Sequence, residues 1–457
     1  MSPQKYSNPS VFPLIFVLFF VLIPVQRKFS APIRSYKIVI DPGHGGTKQV
    51  PYELYGDKYD EMQGKYLENY KSGASSRTRT EMEIVMDIAR EVQYLLDLTK
   101  TQRGFRKFRA RIKKYSRAKA SWLQLHSVLS RRDNYADRRY REKDDKNADF
   151  RLYDFRDFHI GKHRTGRISR INAEKPYLIV SLHINSSGSK QGSGMGAVLA
   201  PSYKTFDLLR RISLGKLPGT AFNQSPWRNW LRFQAGWTTL ENAVADAWIY
   251  FHGYWPNKQG TKPNLKRFEG YRQNMVTWRY KDANWKKRIG KPGPYAYKHS
   301  QFKAVGKFWQ RERSNLEYMR RGGGREGFGG DNHYASMELL RFVQYGLRQD
   351  IERNTSRYNA PGPILPPYIS TYSLPTFTNA ITAFLELGDI YSDRDMYFMV
   401  AKRKKVAEAI AVGIYSLFYG LQVSQKEIRY APRGKKIDFN KYITKNGENY
   451  FKTVLKN

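Results

Sequence analysis

Three short apolar runs, far apart in the chain, each end on side chains able to bind metal or move protons. Lys37-Ile38-Val39-Ile40 leads into Asp41-Pro42-Gly43-His44-Gly45-Gly46. Leu178-Ile179-Val180 leads into Ser181-Leu182-His183-Ile184-Asn185, and Ala380 to Leu387 ends in Glu386-Leu387-Gly388-Asp389. Such runs read as buried strands. The proline and glycines after Ile40 force a tight turn, so the first strand delivers His44 to the mouth of a sheet, where open α/β sheets place their sites. Strand alternation puts Ser181, His183 and Asn185 on one face and Leu182 and Ile184 on the other.

Helical patterns fall between and after these runs. Val85, Ile88, Val92, Leu95 and Leu96 recur at helical spacing over 81–98, with Thr80 as N-cap and Glu81 and Glu83 in the first turn. Residues 167–173 and 336–349 resume a helical register, and Val406 to Leu421 is a strongly apolar helix. The order predicts an α/β fold: a twisted, mostly parallel sheet flanked by helices.

Two stretches break that order. Residues 101–160 carry 18 Lys and Arg against 8 Asp and Glu. In 203–333, eight of the nine tryptophans fall between Trp227 and Trp309, and Arg320 to Gly330 reads as a glycine-rich linker. Both stretches read as large basic or aromatic insertions into one domain spanning 33–421, followed by a basic tail, 422–457. The run Arg103 to Lys119 reads as a solvated helix face, with contact to an anionic wall or membrane as its alternative. The tryptophan-rich region reads as the packing of a small subdomain or, alternatively, as a glycan-binding surface.

Before the first strand, Lys5 precedes an apolar run from Val11 to Val25. Fifteen residues are short for a bilayer span but suit an export signal. Residues 1–32 are read as a signal peptide, cleaved or kept as a membrane anchor, with a buried N-terminal segment as the alternative. The chain holds 80 Lys and Arg against 40 Asp and Glu, a formal charge of +40, so anionic partners are expected: nucleic acid, membrane or wall polymer. It has no cysteine and eight histidines. Disulfides and thiolate metal sites are excluded, so a metal site must draw on His, Asp and Glu.

His44, Glu81 and His183 stand at the ends of regular elements. Two His and one Glu make a catalytic zinc set that leaves a position for water, and Glu386 is the candidate proton carrier. Glu83 is the rival to Glu81. No HExxH helix is present. The segment Ile38 to Gly46 resembles the opening motif of the zinc-dependent N-acetylmuramoyl-L-alanine amidases of the type-3 family. Glu81 stands eight residues before Ala89 of the Ile88-Ala89 pair, as that family's helix glutamate does. Ser181-Leu182-His183-Ile184-Asn185 is similar to its Ser-x-His-x-Asn strand, and Glu386-Leu387-Gly388 to its Glu-x-Gly strand end. Ala409 to Ile414 is similar to its closing helix, and Arg167, Arg170 and Asn172 partly echo its Arg-x-x-x-Ala-Asn helix. Met82, Asp389 and Ser392-Asp393 depart from the family pattern.

The resemblance covers 33–100, 161–202 and 334–421. It implies that His44, Glu81 and His183 bind Zn2+, that Glu386 is the general base and acid, and that the substrate is peptidoglycan, cut between N-acetylmuramic acid and L-alanine in the cell envelope during wall remodelling or daughter-cell separation. Asn185 is a candidate substrate-orienting residue. Relatives similar in carrying an insertion suggest a block on the cleft, here 203–333, released by an activator protein. A catalytically impaired wall-binding relative and a basic nucleic-acid-binding protein are the competing readings. The export signal and the lack of any RNA-binding signature argue against nucleic acid.

Overall fold

The computed structural model describes residues 34–45, 57–60, 65–68, 73–76, 79–132, 152, 155–157, 162–164, 166–186, 194–213, 216–218, 220–221, 313–349, 360–369, 374–424 and 430–454. Six strands make the central sheet: β1 (Ser35–Pro42), β2 (Gln124–Leu129), β3 (Leu178–Asn185), β4 (Gly196–Leu199), β5 (Tyr368–Ile369) and β6 (Ile381–Asp389). Their order is β2-β1-β3-β6-β4-β5. All neighbours run parallel except β6 and β4. The fold is therefore α/β, as expected from the apolar runs. Every residue of β6 is buried, as a strand covered on both faces requires.

The longer helices among the described residues are α1 (Glu81–Asp97), α2 (Gln102–Tyr115), α3 (Arg167–Ala173), α4 (Tyr203–Ser213), α5 (Asn315–Arg321), α6 (Gly330–Arg348), α7 (Asp393–Val400) and α8 (Arg403–Tyr419). α1 packs on β1, β2 and β3, α6 packs on β4 and β6, and α8 bridges α1 and α6. The α1 residues expected on the apolar face, Val85, Ile88, Val92, Leu95 and Leu96, are all in the core. Its N-terminus is fixed by Glu83, whose Oε2 accepts from the backbone N–H (3.0 Å) and hydroxyl (2.8 Å) of Thr80. That contact occupies Glu83 at the cap and leaves Glu81 to point elsewhere.

Three stretches read from composition contribute residues to the core. The stretch 101–160 does not lie wholly outside the core: β2 is the edge strand of the main sheet, and Phe105, Phe108, Ile112 and Tyr115 of α2 are buried. Seven of its 18 cations lie on the exposed face of α2, an amphipathic helix, which a net count cannot separate from an insertion. Residues 320–330 are not a flexible linker. Arg320 and Arg321 are fully buried, and a Cβ on Gly330 (φ +57°) would meet the Met319 carbonyl oxygen. Glycine is there because backbone crosses backbone. Nor is 422–457 a solvated tail: Val423, Ile437, Tyr442, Tyr450 and Phe451 join the core, and Phe439 stacks on Phe418 with centroids 4.8 Å apart. Burying a side chain such as Phe451 is worth roughly 1.5–3 kcal/mol. Residues 1–32, and the tryptophan-rich region from Trp227 to Trp309, lie outside the described residues. Among the described residues no helix is long and apolar enough to cross a membrane.

Candidate metal centre

The parallel register of β1, β3 and β6 brings three distant segments to one edge. Pro42 pairs with Leu182, and Glu386 pairs with His183. The turn after β1 therefore lies beside His183, and α1 starts at the same edge. The ligand-type atoms of His44, Glu81 and His183 all lie within 4.8 Å of one another. Glu81 is the hub. Its Oε1 lies 3.2 Å from His44 Nε2 and 3.0 Å from His183 Nδ1, and it accepts from the Ile184 backbone N–H at 2.9 Å. Its Oε2 accepts from the Ala74 N–H at 2.8 Å. Burial pushes the Glu81 carboxyl up, but the two imidazoles outweigh it and hold the group well below the usual carboxylate range.

The geometry leaves little slack. A Cβ on Gly43 would fall 2.3 Å from the His183 ring, so only glycine lets the turn pass. His44 itself takes a left-handed conformation, φ +57°, which a non-glycine residue adopts only where its surroundings enforce it. The enforcement comes from below. Arg131 donates from Nε to the Pro42 carbonyl (2.7 Å) and from Nη2 to the carbonyls of Gly43 (2.7 Å) and Met82 (3.1 Å). Arg167 donates to the carbonyls of Pro42 (3.0 Å) and His44 (3.1 Å). Both guanidiniums are buried.

Asp41 supplies the balancing charge. It lies 3.5 Å from Arg167 and accepts hydrogen bonds from the hydroxyls of Ser130 and, at 2.6 Å, Ser181. Burial pushes its carboxyl up, but Arg167 and the two hydroxyls keep it below its ordinary value. On the other side of His183, the Phe384 ring stacks at 4.1 Å and 12°, which limits rotation of the imidazole.

Glu386 completes the site. Its Oε1 accepts from the Tyr368 hydroxyl at 3.0 Å, while Oε2 is buried with no partner. Burial pushes the carboxyl up to about 7. His183 and the Tyr368 hydrogen bond pull against that shift, and Glu81 and Asp389 reinforce it. A carboxyl poised near neutral pH, with one oxygen anchored and the other open, can both take and return a proton. The donor set suits zinc: two imidazole nitrogens and one carboxylate oxygen converge from one side, beside the unpartnered Glu386 oxygen.

The structure thus draws together His44, Glu81, His183 and Glu386, the candidate ligands and proton carrier singled out in the sequence. Asn185, two residues beyond His183, accepts from the Ser186 N–H through Oδ1 at 2.8 Å. Asp389 is buried and accepts from the Tyr391 N–H at 2.9 Å, so it serves the turn after β6. Arg131, Phe384 and Tyr368 were not anticipated. Val128-Leu129-Ser130-Arg131 is itself a short apolar run ending in polar residues, the signal used for the other strands, but it lies inside the basic stretch. Tyr368 sits on a two-residue strand that leaves no pattern in sequence.

No family model matches the sequence, and no curated protein matches it. Among solved structures, the chain is similar to the N-acetylmuramoyl-L-alanine amidase AmiC2 of Nostoc punctiforme, with 11% identity, 83% of this chain and 94% of that one covered, and a TM-score of 0.29. It is also similar to the amidase Ami1 from Mycobacterium smegmatis, with 13% identity, coverage of 84% and 97%, and a TM-score of 0.33. A third is the CwlD amidase from Clostridioides difficile in complex with the GerS lipoprotein, with 10% identity, coverage of 83% and 96%, and a TM-score of 0.31.

Proposed function

We propose that the chain is a zinc-dependent hydrolase of the cell envelope that cuts the amide between N-acetylmuramic acid and L-alanine in peptidoglycan. The observation that carries the reading is the Glu386 carboxylate, with one oxygen held by Tyr368 and the other unpartnered, set in register beside a His-Glu-His cluster. The order of the four sequence motifs supports the substrate class.

His44, Glu81 and His183 would hold the ion. When bound, zinc would polarise the scissile carbonyl and lower the pKa of a water molecule towards neutrality. Glu386 takes the proton of the attacking water through its open oxygen and returns it to the nitrogen of the departing L-alanine. Tyr368 keeps the carboxylate oriented between the two transfers. Gly43 and Phe384 hold the His183 ring, and the buried arginines hold the turn that presents His44. Asn185 would orient the glycan or peptide at the sheet edge.

The test is zinc content of the purified protein beside His44→Ala and His183→Ala, followed by release of peptide from muropeptide. One zinc per chain, lost in both variants, together with new L-alanine amino termini, is the expected result. A folded wild type without zinc would overturn the reading.

A further inference from the structure

We propose that Asp395 is a positioning residue for Glu386: its carboxylate braces the bulge that aims the proton carrier into the metal centre. The consequence for turnover rests on the hydrolytic function proposed above; the geometry does not.

The brace begins in the strand pairing. Along β6 and β3, Glu386 pairs with His183 and Asp389 pairs with Asn185. Three steps on β6 thus match two on β3, a bulge of one residue directly after Glu386. A bulge takes backbone donors out of the ladder and re-aims the side chain beside it, and a buried donor must find another acceptor. Asp395 supplies it. Its Oδ2 accepts the Asp389 backbone N–H at 3.0 Å, and the same oxygen accepts the Gly194 N–H at 2.9 Å. Pairing with β3 resumes at the Ile390 N–H, which donates to the Asn185 carbonyl at 2.9 Å.

Gly194 leads into β4, whose Gly196 is the partner of Glu386 on its other side. Met195 donates its N–H to the Pro363 carbonyl at 2.8 Å and accepts from the Leu365 N–H at 2.7 Å, and Val198 pairs with Tyr368. One carboxylate oxygen therefore ties the end of β6 to the strands that carry Tyr368, the hydrogen-bond donor to Glu386. Asp395 is itself held. Its N–H donates to the Ser392 hydroxyl at the N-cap of α7, at 3.3 Å. A Cβ on Gly388 would lie 2.8 Å from the Asp395 Cβ, so α7 packs directly on the bulge. The side chain is buried. Burial pushes its carboxyl up, against the pull of the Asp389 and Gly194 N–H groups and of Arg394. An amide oxygen could take the same two bonds without the cost of burying a charge.

The experiment compares Asp395→Ala, Asp395→Leu and Asp395→Asn in the full chain. Ala and Leu remove the acceptor, with Leu filling the space should Ala fail to fold, and Asn keeps it. Thermal melts report folding, elemental analysis reports zinc, and muropeptide hydrolysis reports kcat and KM. The folded Ala or Leu variant is expected to keep its zinc and lose roughly 10²-fold in kcat with KM changed less than about twofold, as a misplaced reacting group does. Asn should restore kcat to within about threefold of the wild type, because the acceptor rather than the charge sets the geometry. Crystal structures of the variants judge the brace without reference to turnover: the Tyr368 hydroxyl should stay on Glu386 in the Asn variant and part from it in the Ala or Leu variant. Wild-type kcat in a folded Ala or Leu variant would overturn the proposal. So would an equal loss in the Asn variant, a loss of zinc in step with kcat, or a Glu386 that has not moved. An inactive wild type would count against the hydrolytic function alone, and the crystal structures would still decide the brace.

Discussion

Two clusters of largely buried charge lie in the same domain and serve different ends. Beneath the metal centre, Arg131 and Arg167 spend their donors on carbonyls of the Pro42–His44 turn, with Asp41 as counter-charge. Across α5 and the start of α6, Glu317 takes Arg320 at 2.7 Å and Arg321 at 3.1 Å and also accepts from the Tyr450 hydroxyl, while Asp331 takes Tyr442 at 2.8 Å and Lys441 at 2.5 Å. The first cluster holds a strained loop in one shape. The second fastens the C-terminal segment to the body of the domain. Buried ion pairs are weak sources of net stability but costly to break from one side. The clusters should therefore fail differently: one through the chemistry of the site, the other through unfolding.

The sharpest separation comes from the site itself. Glu386→Gln keeps the size and the contact with Tyr368 but removes the proton carrier; turnover should fall by up to about 10⁴-fold while zinc stays bound. Retained turnover would place the base elsewhere. In the second cluster, Arg320→Met leaves Glu317 facing one guanidinium and the Ala380 carbonyl without its donor. Urea denaturation should show a loss of about 3–5 kcal/mol, with zinc affinity of the folded protein unchanged. A large fall in affinity would erase the distinction.

A pH experiment probes the same side of the molecule. His333, early in α6, is buried and its ring is held neutral, with the pKa lowered to about 4, chiefly by burial. Unfolded, it would titrate near 6.5, so its contribution is present above that pH and is lost as pH falls towards 4, up to roughly 3 kcal/mol. His333→Phe should flatten that part of the stability profile. An unchanged acid limb would remove His333 from the account.

Back at the metal centre, Arg131→Met should lower zinc affinity by about 10- to 100-fold, the usual cost of losing a group that orients a ligand. Loss of stability with unchanged affinity would make Arg131 a fastener like Arg320. Smallest of all, Tyr368→Phe should slow turnover roughly tenfold, the worth of one hydrogen bond to a charged group. It should also move the acidic limb of kcat/KM upward, because the lost hydrogen bond was lowering the Glu386 pKa. An unmoved limb would show that Tyr368 does not act through Glu386.

The ligand-type residues and the buried charge clusters were not equally legible. Ligand-type residues at the ends of apolar runs were readable because a short apolar stretch closing on Gly and His has few structural meanings. Arg131 and Arg320 were lost in a charge count. A buried guanidinium and a solvated one look identical in sequence, and only the carbonyls around them tell them apart. The Arg320–Gly330 segment misled for a similar reason: glycine permits flexibility, but here it permits close contact.

The sequence by itself determined the α/β class, the three strand ends that carry His44, His183 and Glu386, and the apolar face of α1, because these follow from local periodicity and turn chemistry. Tertiary structure alone decided that β2 belongs to the sheet, that Tyr368 meets Glu386, and that the C-terminal segment is core. Each of those depends on partners far away in the chain, and the register of parallel strands, which no local signal encodes, selects them.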